Sequence, residues 1–279
     1  MDATSVARKR AAFRDLLARP QITVAPGIAD VMTARFVAAN GFSAVYLSGS
    51  LQHAMRGYAD VNALTMTEMV QAANAVANEI PVPCLADAEA GFGAGVNVRR
   101  TIREYERTGV AAVHLEDSMV PKRPARLGFD SPTVTTPEFL DKIKAALDAR
   151  TDPAMVIVAR SEMLGESAAK VDRLQAALEV GADAFWAGGF AAKELPAICK
   201  RLVKPGLAVL PKNLTAEEFG ALGVKLCVIP GALAMAGLIA QRSLLDSLNR
   251  TGSWSKWLED QPGFKEASEF FYGQGVDNI

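Results

Sequence analysis

Apolar residues in this chain come in short, near-continuous runs, and each run ends in glycine or a polar residue. The runs are residues 22–27, 44–49, 83–88, 112–117, 156–161, 184–189, 208–212 and 226–231. A stretch with helical periodicity follows each one. Near-continuous apolar strands suit a parallel sheet that is covered on both faces. Eight alternating strand–helix units predict a (β/α)8 barrel of the TIM type, with a doubly wound sheet as the alternative. Polar groups at nearly every strand's C-terminal end favour the closed barrel, where they converge on one site.

The flanking segments complete the pattern. Residues 4–19 read as an amphipathic helix with Val6, Phe13, Leu16 and Leu17 on its apolar side, stopped by Pro20. Residues 121–137 carry four prolines and no periodicity, and they follow an acidic strand end. Such a loop is a candidate active-site lid. Residues 233–249 are helical and apolar, Thr251-Gly252-Ser253 breaks the pattern, and Trp254, Trp257, Phe264, Phe270 and Phe271 follow. An aromatic segment of this kind needs a partner surface. The expectation is a single domain over residues 1–279, with a barrel at 1–249 and a helical extension at 250–279.

Composition narrows the function classes. The chain has 279 residues, 50% hydrophobic and 22% charged, with a net charge of −1. That is enough for a large core, and it gives no basis for nucleic-acid binding. No run reaches the roughly 18 apolar residues of a membrane span, and the charged N-terminus has no signal-peptide core. The expected compartment is the cytoplasm. Three cysteines without ligand-like spacing argue against a disulfide framework and against zinc. Cys84 and Cys227 lie in apolar runs and read as small core residues.

Candidate chemistry concentrates in residues 83–117, PCLADAEAGFGAG to AAVHLED. Asp87 and Glu89 are two apart at a strand end and so are expected to share a face. Gly91, Gly93 and Gly95 allow close backbone approach. The next strand ends in Glu116 and Asp117, with His114 on the face of Glu116. Acids at adjacent strand ends repel unless a cation or protons intervene, and oxygen ligands suit Mg²⁺. Ser48-Gly49-Ser50 reads either as an ordinary tight turn or as a source of backbone N–H groups for a carboxylate or enolate oxygen. Arg160 closes an apolar strand, and its planar fork suits a carboxylate; a salt bridge to Glu162 is the plainer reading. Asp60, taken alone, is a surface residue. Lys212, at the end of the seventh strand, reads as a rim lysine.

The runs ADAEAGFG and HLED, with PGIADVMTARFVAANGFSAVYLSGS before them and VIVARSE after them, resemble the isocitrate lyase/phosphoenolpyruvate mutase superfamily. The likeness runs in order over nearly the whole chain. It implies a C-terminal helix exchanged between subunits and a homodimer or homotetramer. It also implies Mg²⁺ (or Mn²⁺) at Asp87, Glu89 and Glu116, although the family usually has Asp at position 89. Ser48, Gly49, Ser50, Asp87 and Arg160 are then substrate-binding residues. Arg160, Asp60 and Glu116 are catalytic, with Asp60 in the metal's outer sphere.

Three departures from the family pattern stand out. Lyase members place a Glu near Gly188. Asn213-Leu214-Thr215 echoes their Asn-Met-Thr run only faintly. In the lid, Pro121-Lys122-Arg123 matches the approach to the lyases' Cys-Gly-His, but Pro124-Ala125-Arg126 replaces it, and the Cys is the acid that protonates the leaving carbanion. The Asn-Ser or Thr-Ser of mutase and phosphonopyruvate hydrolase members is absent too. The resemblance therefore implies a Mg²⁺-dependent lyase acting on a small anionic 2-oxo or 2-hydroxy di- or tricarboxylate through an enolpyruvate-like intermediate. Oxaloacetate decarboxylation is the sharpest version. A methylisocitrate or dimethylmalate lyase, a phosphonopyruvate-type enzyme and a non-catalytic binding homologue are the alternatives.

Overall fold

All eight expected strands are present in the computed structural model, which describes residues 3–123 and 128–273. They are β1 (Thr23–Ile28), β2 (Val45–Leu47), β3 (Cys84–Asp87), β4 (Ala112–Glu116), β5 (Val156–Arg160), β6 (Ala184–Trp186), β7 (Gly206–Val209) and β8 (Val224–Ile229). The strands pair in parallel in sequence order, and β8 returns to β1, so the sheet is a closed (β/α)8 barrel. Its helices include α1 (Ala3–Ala18), α2 (Val31–Ala39), α3 (Gly49–Met55), α4 (Met66–Glu79) and α5 (Gly95–Thr108). The series continues with α6 (Thr136–Ala149), α7 (Ser167–Glu179), α8 (Leu195–Leu202) and α9 (Ala216–Ala221). Thr65, Thr135 and Thr215 each start a helix by a reciprocal cap with the Glu three residues on.

Several strands end earlier than the apolar runs do. β3 stops at Asp87, β6 at Trp186 and β7 at Val209, which leaves Glu89, Gly188 and Lys212 in loops. Glu89 has φ +50°, a left-handed conformation that no strand residue adopts. Asp87 and Glu89 therefore do not share a strand face as their spacing implied. A reversing turn brings the two carboxylates together.

The core has two apolar layers. One lies between the strands and the surrounding helices and includes Leu47, Val113, Ile157, Phe139 and Leu174. The other fills the barrel and includes Leu85, Val156, Leu207 and Leu226, closed below by Phe13, Leu16 and Leu17 of α1. The charged side of α1 is not fully solvated, as a simple amphipathic reading would have it. Lys9 donates to the Ala77 and Ile80 carbonyls at 2.6 and 2.8 Å, and Arg10 to the Glu106 carbonyl at 2.7 Å. These bonds satisfy carbonyls at the C-terminal ends of α4 and α5.

The chain forms two compact units, Met1–Pro230 and Gly231–Ile279. The second contains α10 (Ala232–Thr251), α11 (Ser255–Glu259) and α12 (Phe264–Tyr272), with Trp254 packed edge-on against Phe264 at 5.8 Å. Among the described residues no helix is long and apolar enough to cross a membrane.

Candidate active site at the C-terminal mouth of the barrel

The upper layer of the barrel interior is polar and aromatic. Tyr46, His114 and Trp186 point inward from β2, β4 and β6, the alternate-strand arrangement by which such barrels fill their interior. The His114 ring lies 5.7 Å from Tyr46 and 5.2 Å from Trp186. The Tyr46 hydroxyl is 3.1 Å from His114 Nε2 and 3.3 Å from Asp87 Oδ2. Burial pushes the His114 pKa down to about 4, so the ring is neutral near pH 7. Burial, with Asp87 next, holds the Tyr46 phenol well above its usual range.

The predicted carboxylates surround this floor. Asp87 accepts from the Gly49 amide at 3.3 Å and the Glu89 amide at 2.9 Å. A Cβ on Gly49 would lie 2.5 Å from Glu89 Oε1 and 2.6 Å from Asp87 Oδ2, so position 49 must be glycine for the acids to close in. Of the Ser48–Ser50 turn, the Gly49 N–H thus already serves Asp87. Ser48 caps α3 through Leu51, and its Oγ lies 3.0 Å from Ser50 Oγ. Asn62 donates to Glu89 Oε2 at 2.7 Å. Asp117, by contrast, is structural. Ser161, the Glu162 amide and Arg173 hold it at 2.6–2.8 Å.

Two cations enter the same cluster. The Lys122 ammonium is only 5% exposed and sits 2.9 Å from Glu116 Oε1, 3.7 Å from Glu89 and 3.8 Å from Asp60. Arg160 is 3.4 Å from Glu116 and 3.9 Å from Asp87, and it pairs with Glu162 at 2.5 Å. The plainer reading of Arg160, a salt bridge to Glu162, is present, and the same guanidinium faces Glu116 and Asp87. The guanidinium also stacks on Trp186 at 5.2 Å. Arg160 pulls the Glu162 carboxyl down to about 2. Burial opposes ionisation of Asp87, but His114, Arg160 and Lys122 together outweigh it and hold its carboxyl below the usual range. Glu89 moves the other way, raised by burial and then by Asp87, Glu116 and Asp60.

This donor set fits a hard cation. Glu89 Oε1 is buried without a hydrogen-bond partner, and each such oxygen carries a desolvation cost that a cation would offset. Ligand atoms of His53, Asp60 and Glu89 lie within 4.8 Å of one another. His53 is nonetheless committed elsewhere: Nδ1 donates to the Gly49 carbonyl at 2.8 Å, and Nε2 accepts from the Leu64 amide at 3.3 Å. The carboxylates Asp60, Asp87, Glu89 and Glu116 lie around the same Lys122 and Arg160 cations, and oxygen donors are of the kind Mg²⁺ or Mn²⁺ prefers.

A cavity of about 470 Å³ opens beside Arg160, at the ends of β5, β6 and β7. Trp186 forms one wall, and its indole nitrogen stands where a Cβ on Gly188 would be. The absent glutamate near position 188 is thus explained sterically. The lid is anchored by a bridge between Ser118 and Thr133. The expected run Pro124-Ala125-Arg126 lies outside the described residues.

Sequence reasoning missed Tyr46 and Trp186 and saw Lys122 only as lid charge. Strand alternation held a signal for Tyr46, two residues before Ser48 on an inward-facing strand. Trp186 is harder to find, because an aromatic in an apolar run reads as core. The thiols behave as expected, with burial lifting Cys84 to about 12 and Cys227 to about 11.

Comparison with known proteins agrees with this geometry. The profile of the family described as phosphoenolpyruvate phosphomutase matches residues 13–248. The chain is 35% identical to 2,3-dimethylmalate lyase of Eubacterium barkeri, over 96% of this chain and 95% of that protein. It is 34% identical to oxaloacetate decarboxylase of Pseudomonas fluorescens, over 78% of this chain and 77% of that protein. Among solved structures it is similar to phosphonopyruvate hydrolase in complex with oxalate and Mg²⁺. There the TM-score is 0.86 and the identity 27%, over 97% of each chain.

Proposed function

This chain belongs to the phosphoenolpyruvate phosphomutase family and is a carbon–carbon lyase by kinship, and from that membership we propose Mg²⁺-dependent decarboxylation of an oxaloacetate-type 2-oxo diacid. Asp87, Glu89 and Glu116 would hold the ion, with Asp60 in its outer sphere. When bound, Mg²⁺ supplies a Lewis acid for the enolate charge. Arg160 grips the substrate's C1 carboxylate with a fork that Glu162 and Trp186 keep in place. The Ser48–Ser50 turn lies at the oxyanion side. The Tyr46 hydroxyl, 3.3 Å from Asp87 and 3.1 Å from the neutral His114 ring, positions Asp87 from below.

The observation that carries this reading is that no thiol, imidazole or protonated carboxyl lines the cavity among the described residues. Its ionisable lining residues, among the described residues, are Arg160, Glu162 and Lys170. Arginine does not give up its proton at neutral pH. Glu162 is ionised. The Lys170 ammonium is engaged by the Gly188 carbonyl at 2.8 Å and the Phe190 ring at 5.0 Å. None of the three cysteines lines the cavity. A lyase that releases a carbanion gains about 10²–10⁴-fold from a positioned acid, whereas an enolpyruvate formed by loss of CO₂ takes its proton from water.

The test compares kcat/KM for oxaloacetate, 2,3-dimethylmalate, 2-methylisocitrate and phosphonopyruvate on one preparation, with Mg²⁺ and then with EDTA. The expected result is preferential turnover of the 2-oxo diacid, lost in EDTA and restored by Mg²⁺ or Mn²⁺. Faster cleavage of a hydroxy acid refutes the decarboxylase reading. The second reading, a lyase of the dimethylmalate type, draws on the 35% identity over almost the full chain.

A further inference from the structure

The cavity beside Arg160 is larger than an oxaloacetate-type acid needs. At about 470 Å³ it falls within the roughly 300–1,000 Å³ of pockets that enclose drug-sized ligands. A four-carbon diacid held at Arg160 would leave most of it empty. Its lining mixes polar groups with the large apolar side chains Met163, Leu164, Trp186, Phe190, Val209 and Pro211. Leu164 is 57% exposed and Val209 43% exposed, both at the mouth of the barrel. Large apolar side chains left open around a cavity mark a surface that gains from being covered.

Charge argues in the same direction. Besides Arg160, the one cation among the described lining residues is Lys170, whose ammonium donates to the Gly188 carbonyl and lies over the Phe190 ring. Additional carboxylates would have to displace these contacts, at a desolvation cost. Glu162 sits at the rim as a fixed negative charge and would repel them. An apolar substituent meets large apolar side chains here, whereas a further anionic group meets Glu162.

We propose that this cavity is a specificity pocket for an apolar substituent at C3, so that the preferred substrate is a 3-alkyl or 3-aryl 2-oxo diacid. This inference rests on the decarboxylase reading above. Arg160 borders both the carboxylate cluster and the cavity. With C1 and the 2-oxo oxygen turned to the cluster, the C3 substituent points into the pocket beside Trp186. In the reaction the bond from C3 to the departing carboxylate breaks, and its electron pair forms the enolate. CO₂ leaves, and a proton from water reaches C3. The product is a 2-oxo monoacid that keeps the substituent.

Two measurements on the unmodified Mg²⁺-loaded protein test this. The first is kcat/KM for oxaloacetate against its 3-methyl, 3-isobutyl and 3-benzyl derivatives. The second is calorimetric binding of malate against 3-isobutylmalate and 3-benzylmalate, which reports on the pocket whether or not turnover occurs. One added methylene in an apolar pocket is worth about 10-fold or more, so the larger derivatives should gain at least about 10-fold in both series. Equal or weaker binding of the substituted malates overturns the pocket assignment, even if oxaloacetate is decarboxylated. Tighter binding without any decarboxylation supports the pocket and instead sinks the decarboxylase reading. Val209→Phe, which narrows the cavity from a strand end, should cut the substituted-to-unsubstituted ratio about 10-fold. An unchanged ratio would place the substituent elsewhere.

Discussion

Lys122 offers the sharpest test of how the carboxylate cluster is balanced. Its ammonium lies 2.9 and 3.2 Å from the two oxygens of Glu116, 3.7 Å from Glu89 and 3.8 Å from Asp60. At an effective dielectric of about 20, the closest contact alone has a Coulomb energy of about 6 kcal/mol. Most of that is offset by desolvation, and removing one partner of a buried pair costs about 3–5 kcal/mol in measured cases. Lys122→Met keeps the volume and deletes the charge. In chelator at pH 8 it should lower stability by about 3–5 kcal/mol, or roughly 6–20 °C in Tm at 2–4 °C per kcal/mol.

Mg²⁺ should return much of this loss. A ligand at 100 times its Kd stabilises by about 2.7 kcal/mol, and the gain should be larger in the variant, where no ammonium competes for Glu89 and Glu116. The assay is calorimetric Tm for both proteins in EDTA and in saturating Mg²⁺. The gap between them should shrink by more than half when the metal is added. It should also shrink on acidification in EDTA, because Glu89, already raised by burial and its acidic neighbours, can take up a proton. A gap that is the same with and without Mg²⁺ would refute the idea that lysine and metal share these oxygens.

Two further outcomes follow from buried groups and exposed surface. His114 has its pKa lowered to about 4 by burial, so the unfolded chain protonates first. Its contribution is complete above about pH 6.5, is lost as pH falls through 4, and amounts to at most about 3 kcal/mol. Urea midpoints should fall between pH 7 and pH 4, with a flatter profile in His114→Phe; a midpoint that rises on acidification contradicts this. The second outcome concerns assembly. Leu238, Ile239, Trp254 and Phe271 of the C-terminal unit are exposed, and the chain should scatter light as a dimer or tetramer at micromolar concentration. A monomer would sink this expectation.

The barrel was readable from sequence because each buried parallel strand is a short apolar run, and eight of them leave few topologies open. Strand ends were less readable. A terminal Gly or acid can extend a strand or leave it, and only the backbone decides; Glu89 at φ +50° leaves it. Asp87, Glu116 and Arg160 were visible because charge at the end of an apolar run has few structural uses. Tyr46 and Trp186 were hidden for the converse reason: aromatics within such runs are what a core contains. The position of the Lys122 ammonium depends on the path of the lid, and local sequence carries no information about that path.

The end of β6 shows why the departures from the family pattern are best taken together. Gly188, considered alone, looks like the loss of a lyase glutamate. The Trp186 indole fills the space into which any side chain at 188 would grow, and the same ring carries the Arg160 guanidinium at 5.2 Å. A glutamate at 188 would force the ring away from the Arg160 guanidinium. The two positions therefore act as a pair, in which a large aromatic is possible only beside a glycine. That pairing keeps the arginine in place and leaves an apolar wall facing the cavity. On the proposed reading such a change alters which substituent the site accepts, and it leaves Asp87, Glu116 and Arg160 in place.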